Sequence, residues 1–408
     1  MNEAMVRATE LQFEAALGEA LGHGPPDDLA ARIAARLAGD ARPTFAWRGR
    51  LAAAALLVLG AAVVCAVWWL QERDRARSAA APVPAPDAAP SPDATTAMAA
   101  RVAALVADLA LPERRKEAMF ALGDIGSAAA PLLDEALASG ATRAQPDVLA
   151  AIGLARQRLA LGPTARAFNL PPEQLTLICD YSDNKVRLVD PSGQSLLEFG
   201  GIFGAWDAEF TNRGTMLVTE FSTSRVRELD ANQETVWEFT DLKNPYDADR
   251  LPNGNTLIAD TFGSRVIEVT LQRQIVWQYN VDIRPFDADR LPNGNTLIAD
   301  VLRDRVLEVS PAGEIVWQIG GMHNVHDADR LPNGNTLITL RNAGKVIEVD
   351  PTGAVVWELT GLSSPSDADR LPNGNTLVAE NTQVREFDAD KQVVWRAEMT
   401  WAVEANRY

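Results

Sequence analysis

The residues best equipped for chemistry lie close together in the last third of the chain. His323 and His326 stand three apart and are the two histidines of residues 170–408, with Arg303 before them and Arg341 after. An arginine fork matches the oxygens of a carboxylate, phosphate or sulfate. An imidazole beside such an anion can serve as base or nucleophile. The competing reading is two histidines in a variable surface loop. A second set is acidic: Asp247, Asp249 and Arg250 recur as Asp287, Asp289 and Arg290, and again further on. Such carboxylates could ring a cation, or they could satisfy backbone donors between neighbouring units. The D-x-D followed by N-G-N hints at a calcium loop, but that loop needs alternating ligands ending on a carboxylate. Here the chain runs straight into a strand, so no metal ligand set and no cofactor are expected.

These residues sit in a repeat that must position them. D-A-D-R-L-P-N-G-N-T-L begins at Asp247, Asp287, Asp327 and Asp367, forty residues apart, with a weaker copy at Asp207. Each unit holds four apolar segments, DADRL, TLIAD, RVIEV and IVWQ, which read as strands a to d. Asn-Gly between a and b suits a two-residue type I′ turn, and Pro-Ala-Gly or Pro-Thr-Gly between c and d is also turn chemistry. A four-stranded antiparallel unit of this period predicts a β-propeller blade. Trp237, Trp277, Trp317, Trp357 and Trp395 share one position of strand d and predict packing between blades.

Strand b starts near Leu175, Met216, Thr256, Thr296, Thr336 and Thr376, which gives six blades. The first blade lacks its own strand a, and Glu404–Tyr408 (EANRY) echoes D-A-D-R-L. The expectation is a mainly β fold, a six-bladed propeller closed by a C-terminal strand that covers two sheet edges. The d–a and b–c loops then share one face around the channel mouth. The position before the first Asp of each unit reads Trp206, Tyr246, Phe286, His326 and Ser366. The b–c loops add Tyr181, Phe221, Phe262, Arg303 and Arg341. This predicts an aromatic mouth with one basic sector, open to a small-molecule or protein ligand.

The element V-H-D-A-D-R-L-P-N-G-N-T-L-I, with D-P-T-G-A-V-V-W, resembles the arylsulfotransferase-like propellers and, more distantly, the quinoprotein-type repeats, over about residues 170–408. The resemblance implies a six-bladed periplasmic propeller that moves a sulfuryl group between phenols through a histidine at the channel. His326 is then the nucleophile, with Arg341 and Arg303 as sulfate contacts. The chain departs from that pattern, since the other blades place Trp, Tyr, Phe and Ser where His326 stands, and no quinone ligand set appears. Two readings follow: a binding or scaffold propeller, and an arylsulfotransferase-like transferase.

The rest of the chain divides by composition. Of 55 acidic and 38 basic residues, 37 and 21 lie from Leu170 onward, so the propeller carries −16 of the net charge of −17. That excludes nucleic acid as a natural partner, because its phosphates need a basic face. Leu51–Leu70 is twenty residues without charge or proline, and as a helix it would span about 30 Å of hydrocarbon. Trp47 and Trp68-Trp69 suit its two interfaces. Five arginines before it (Arg32, Arg36, Arg42, Arg48, Arg50) against three after (Arg73, Arg75, Arg77) place the N-terminus in the cytoplasm and the propeller outside. Residues 1–50 read as a cytoplasmic helical segment, in which residues 1–40 are either a small cap or a docking element for a cytoplasmic partner. Residues 71–97 read as an Ala/Pro-rich linker. Residues 98–165 read as helical, and ERRKEAMFALGDIGSAAAPLLDEAL resembles a HEAT repeat, which implies a protein-binding stack; a plain spacer is the alternative. Cys65 in the membrane segment and Cys179 in a strand do not predict a disulfide.

Overall fold

The computed structural model describes residues 92–138 and 146–408. The expected membrane span at 51–70, and the docking element at 1–40, lie outside them. Among the described residues, no helix is long and apolar enough to cross a membrane.

Five helices come first: α1 (Pro92–Leu109), α2 (Pro112–Ile125), α3 (Ala130–Ala138), α4 (Pro146–Arg158) and α5 (Thr164–Ala167). Pro112 opens α2 at its first turn, where the missing N–H costs nothing and φ is already helical. Val102, Leu109, Met119, Leu122, Leu133, Ile152 and Leu159 form their shared core. A second apolar set, Phe120, Leu161, Ala165 and Phe168, points the other way and merges with Leu188, Phe199 and Phe210 of the sheets. The helical segment is thus built into the propeller's own core.

Twenty-four strands, β1 (Thr176–Asp180) to β24 (Ala402–Arg407), form six four-stranded antiparallel sheets. Five sheets take consecutive strands, from β4–β7 (Ala205–Phe239) to β20–β23 (Pro365–Glu398). The sheet of β1, β2 (Lys185–Val189) and β3 (Ser195–Gly200) receives β24 as its inner strand, with Thr176 opposite Arg407 and Ile178 opposite Ala405. We number this closing sheet blade 1, and those that follow in the chain blades 2 to 6. The EANRY segment supplies the missing strand a, as its likeness to DADRL predicts.

The a–b turns are not the type I′ hairpins suggested by Asn-Gly. Gly254 N–H donates to Leu251 O at 2.9 Å, and Gly254 alone of the pair has a left-handed φ, +86°. Pro252 is the cause. Its ring fixes the φ of a type I turn at the second position, and Gly254 takes the left-handed residue that follows.

The repeated residues are consumed in fastening blade to blade. Trp237, Trp277, Trp317 and Trp395 each donate Nε1–H to a turn carbonyl of the next blade, at 2.9–3.0 Å. The strand-a arginine of that next blade lies over the indole, Arg250 over Trp237 at 4.9 Å and Arg370 over Trp357 at 4.4 Å. The same guanidinium pairs with a strand-c glutamate, as in Arg250–Glu228 at 2.6 Å and Arg290–Glu268 at 2.8 Å. Arg407 repeats this clamp at the closure, 4.4 Å above Trp395 and 2.9 Å from Glu386. The seam between blades 1 and 2 differs. There Leu188, Leu197 and Phe210 hold the Glu, Trp and Arg positions, and Phe168 of the helical segment packs on Phe210 and Phe199, with ring centroids 5.0 and 5.9 Å apart.

Candidate functional site

The inner strands converge on a central chamber of about 210 Å³. Its lining falls into three tiers because of one backbone irregularity. Each of four inner strands shifts register at the same place, between Ala205 and Asp207, Pro285 and Asp287, Val325 and Asp327, and Pro365 and Asp367. Such a bulge breaks the alternation of faces, so the residue before the first Asp turns inward along with it. The top tier is a collar of Trp206, Tyr246, Phe286, His326, Ser366 and Val403. The middle tier is Asp207, Asp247, Asp287, Asp327, Asp367 and Glu404. The bottom tier is Glu209, Asp249, Asp289, Asp329, Asp369 and Asn406.

The middle tier largely serves the scaffold. Asp247, Asp287, Asp327 and Asp367 each accept the backbone N–H of the next inner strand, from Ala288, Ala328, Ala368 and Ala405, at 3.0–3.1 Å. These bonds use one carboxyl oxygen apiece. Eleven carboxyl groups nevertheless face one small chamber, and among the described residues lining it there is no lysine or arginine. Burial raises their pKa values, to about 7 for Asp207, about 8 for Glu209 and Asp327, and about 6 for Asp289 and Asp369. Mutual repulsion adds to burial at Asp287 and Asp329. No three acidic, histidine or cysteine side chains among the described residues converge as ligands of a bare metal ion.

The collar is nearly all aromatic. Trp206 stacks on Tyr246 with centroids 4.0 Å apart, and Tyr246 meets Phe286 at 4.4 Å. His326 faces Phe286 at 4.8 Å and reaches Trp206, from the opposite side of the ring, at 5.9 Å. Tyr181 and Trp401 meet edge to face beside the collar, with centroids 4.9 Å apart. His326 is 6% exposed, and its Nδ1 lies 3.0 Å from Ser366 O. A carbonyl only accepts, so Nδ1 carries the proton and Nε2 presents a lone pair. Burial, then the Arg341 charge, hold this imidazole well below its usual pKa, so it is neutral. Arg341 is 7% exposed; it donates to Ser366 Oγ and lies 5.8 Å over Trp401.

Of the residues singled out in the sequence, His326, Trp206, Tyr246, Phe286, Tyr181 and Arg341 come together here. Arg303 and His323 do not join them. Arg303 is half exposed and paired with Asp282, while the His323 side chain is 83% exposed with Nδ1 2.9 Å from Asp304. In each case an acid on the neighbouring loop claims the basic group, which dissolves the expected four-residue basic sector.

Sequence reasoning missed Trp401, which the β24 alignment would have placed two residues before the collar position of Val403. It also missed a vacancy in blade 5. The last residue of strand b is Asp180, Glu220, Asp260, Asp300 and Glu380 in the other blades, each paired with an arginine of the adjacent strand c. Blade 5 has Leu340 there, followed by Arg341, which has no acidic partner in ion-pair range among the described residues. The repeat therefore breaks where His326 stands.

No family model matches the chain, and no curated protein does. Solved structures do resemble it. A protein of unknown function from Bacteroides caccae has a TM-score of 0.52 at 16% identity, covering 58% of this chain and 98% of its own. Virginiamycin B lyase from Staphylococcus aureus has a TM-score of 0.43 at 12% identity, covering 53% of this chain and 78% of its own. The WD40 propeller domain of Doa1 has a TM-score of 0.44 at 15% identity, covering 54% and 79%. At these identities the likeness is one of fold.

Proposed function

We propose that this chain is a ligand-binding propeller, held at a membrane by residues 51–70 with its ring outside the cytoplasm, and that its site is the collar beside blade 5. One observation carries the reading. Residues shared by all blades are spent on the scaffold, whereas the departures from the repeat gather at His326, Leu340 and Arg341. A scaffold alone gives no reason for blade 5 to lose the acid of this pair, keep only Lys345 at the arginine's place, and bury an extra arginine, Arg341, beside the gap. The helical segment, with its resemblance to a HEAT repeat, offers a protein-binding side, and residues 1–40 a cytoplasmic docking element. Binding is tested by titrating small-molecule probes while following tryptophan emission, since Trp206 and Trp401 border the site. No response from any probe would sink the proposal. The anchor is tested by membrane fractionation and protease protection, where a soluble or internally protected propeller would overturn it.

A second reading has one observation in its favour. The neutral His326, with Nε2 lacking a partner among the described residues, has the form of a nucleophile for sulfuryl transfer. Against it, a sulfate ester would approach eleven carboxyl groups with one arginine nearby. Transfer from 4-nitrophenyl sulfate to phenol, lost in His326→Asn, would establish it; no turnover across a panel of phenols removes it.

A further inference from the structure

We propose that the collar takes a small zwitterion, its carboxylate on Arg341 and its ammonium among the chamber carboxyls. This rests on the binding reading above.

Arg341 supplies the first observation. It is 7% exposed and its hydroxyl partner is Ser366, with no carboxylate in ion-pair range among the described residues. Other buried guanidiniums of the ring have acids, Glu228 for Arg250 and Glu386 for Arg407. Taking a charge out of water costs several kcal/mol unless a counter-charge answers it. Arg341 thus asks for an anion that the described protein does not provide.

Two further groups in the same place lack partners. The Tyr246 hydroxyl, in a residue 3% exposed, makes no hydrogen bond among the described residues, and neither does His326 Nε2. Both belong to the chamber lining, and both feel the charge of Arg341.

The chamber supplies the second, opposite observation: eleven carboxyl groups with no cation among the lining residues. A bare anion would leave the ionised chamber carboxyls without a counter-charge, and a bare cation would leave Arg341 uncompensated. A molecule bearing both charges answers both. The collar is bulky on four blades and small at Ser366 and Val403, and Arg341 holds the hydroxyl of Ser366 on that small side. A chamber of about 210 Å³ suits an ω-amino acid rather than a peptide. The two acidic tiers are two residues apart along a strand, roughly 6–7 Å, so chain length should matter.

The test titrates the full chain calorimetrically with 4-aminobutanoate, 5-aminopentanoate and 6-aminohexanoate, each beside the matched carboxylic acid and amine. At least one amino acid should bind about 10- to 100-fold more tightly than both of its singly charged matches, the range of a charged hydrogen-bonded contact. Arg341→Met should reduce it to the level of the amine. Arg341→Lys, which keeps the charge and loses the fork, covers the case in which Met does not fold. Equal binding of amine and amino acid, unchanged affinity in both variants, or no binding of any of these probes would overturn the proposal. 4-Methylphenol separates the failures. If it binds and the amino acids do not, the zwitterion is wrong and the binding propeller stands; if it also fails, both fall.

Discussion

Raising the pH from 5 to 7 should destabilise the propeller, the reverse of the usual trend for an acidic protein. The cause is the chamber. Asp289 and Asp369 are raised to about 6, Asp207 to about 7, and Glu209 and Asp327 to about 8, first by burial. A carboxyl whose folded pKa exceeds its unfolded value holds its proton longer in the folded state. Its stabilisation is complete below about pH 4 and is lost as pH rises through the folded value. Surface acids such as Asp190 and Asp350 are lowered by hydrogen bonds from their own turns, Ser192 and Thr352 foremost. Their contribution is lost only on going below about pH 4, outside this window. One excess proton in the folded state gives a slope of about 1.4 kcal/mol per pH unit. Over two units that is about 3 kcal/mol, or roughly 6–12 °C in Tm for a domain of this size. Urea unfolding at pH 5, 6, 7 and 8 measures it, and Asp289→Asn with Asp369→Asn should flatten the slope between 5 and 7. Stability that rises from pH 5 to 7, or a slope unchanged in the double variant, would refute the reasoning.

Three further outcomes follow from the fastening of the ring. Arg407→Met should cost about 3–5 kcal/mol by leaving Glu386 buried without its cation, and Arg250→Met should cost a similar amount at an internal seam; urea melts compare them. Deleting the last eight residues should abolish cooperative unfolding, because β24 and its clamp go together, and a normal melt would disprove the closure. Phe168→Ala should cost about 3–5 kcal/mol and expose the blade 1–2 seam to limited proteolysis, while wild-type resistance would mean the helical segment does not seal it.

The architecture was legible because it is written many times over. Alternation and turn residues repeat at a fixed interval, so errors at one blade are corrected by the others. The closing strand was legible for the same reason, through four residues that still resemble D-A-D-R. The turn type was misjudged because Asn253-Gly254 was weighed without Pro252 before it, and proline's fixed φ outranks the preference of the pair. At the site, the collar followed from its place before the first Asp, although the bulge that turns it inward could not be seen. Arg303 and His323 were misplaced because charge was counted along the chain, while Asp282 and Asp304 neutralise them in space. Leu340 was overlooked because an apolar residue in an apolar strand attracts no notice. Its meaning lies in the acid that the other blades keep there.

The closing strand joins positions more than two hundred residues apart, Thr176 and Arg407, and this shapes how the molecule must be made. Until β24 is available, blade 1 has a bare inner edge and blade 6 has Trp395 and Glu386 without their arginine. Blades 2 to 6 can each form locally, but the ring cannot lock until β24 has been synthesised. The helical segment precedes all of them and already carries Phe168, so the one seam without a clamp can be covered first. Synthesis order then leaves a single vulnerable join, the one Arg407 fastens, and a truncated or stalled chain presents the bare edge of β1 and an unclamped face of blade 6 to its neighbours.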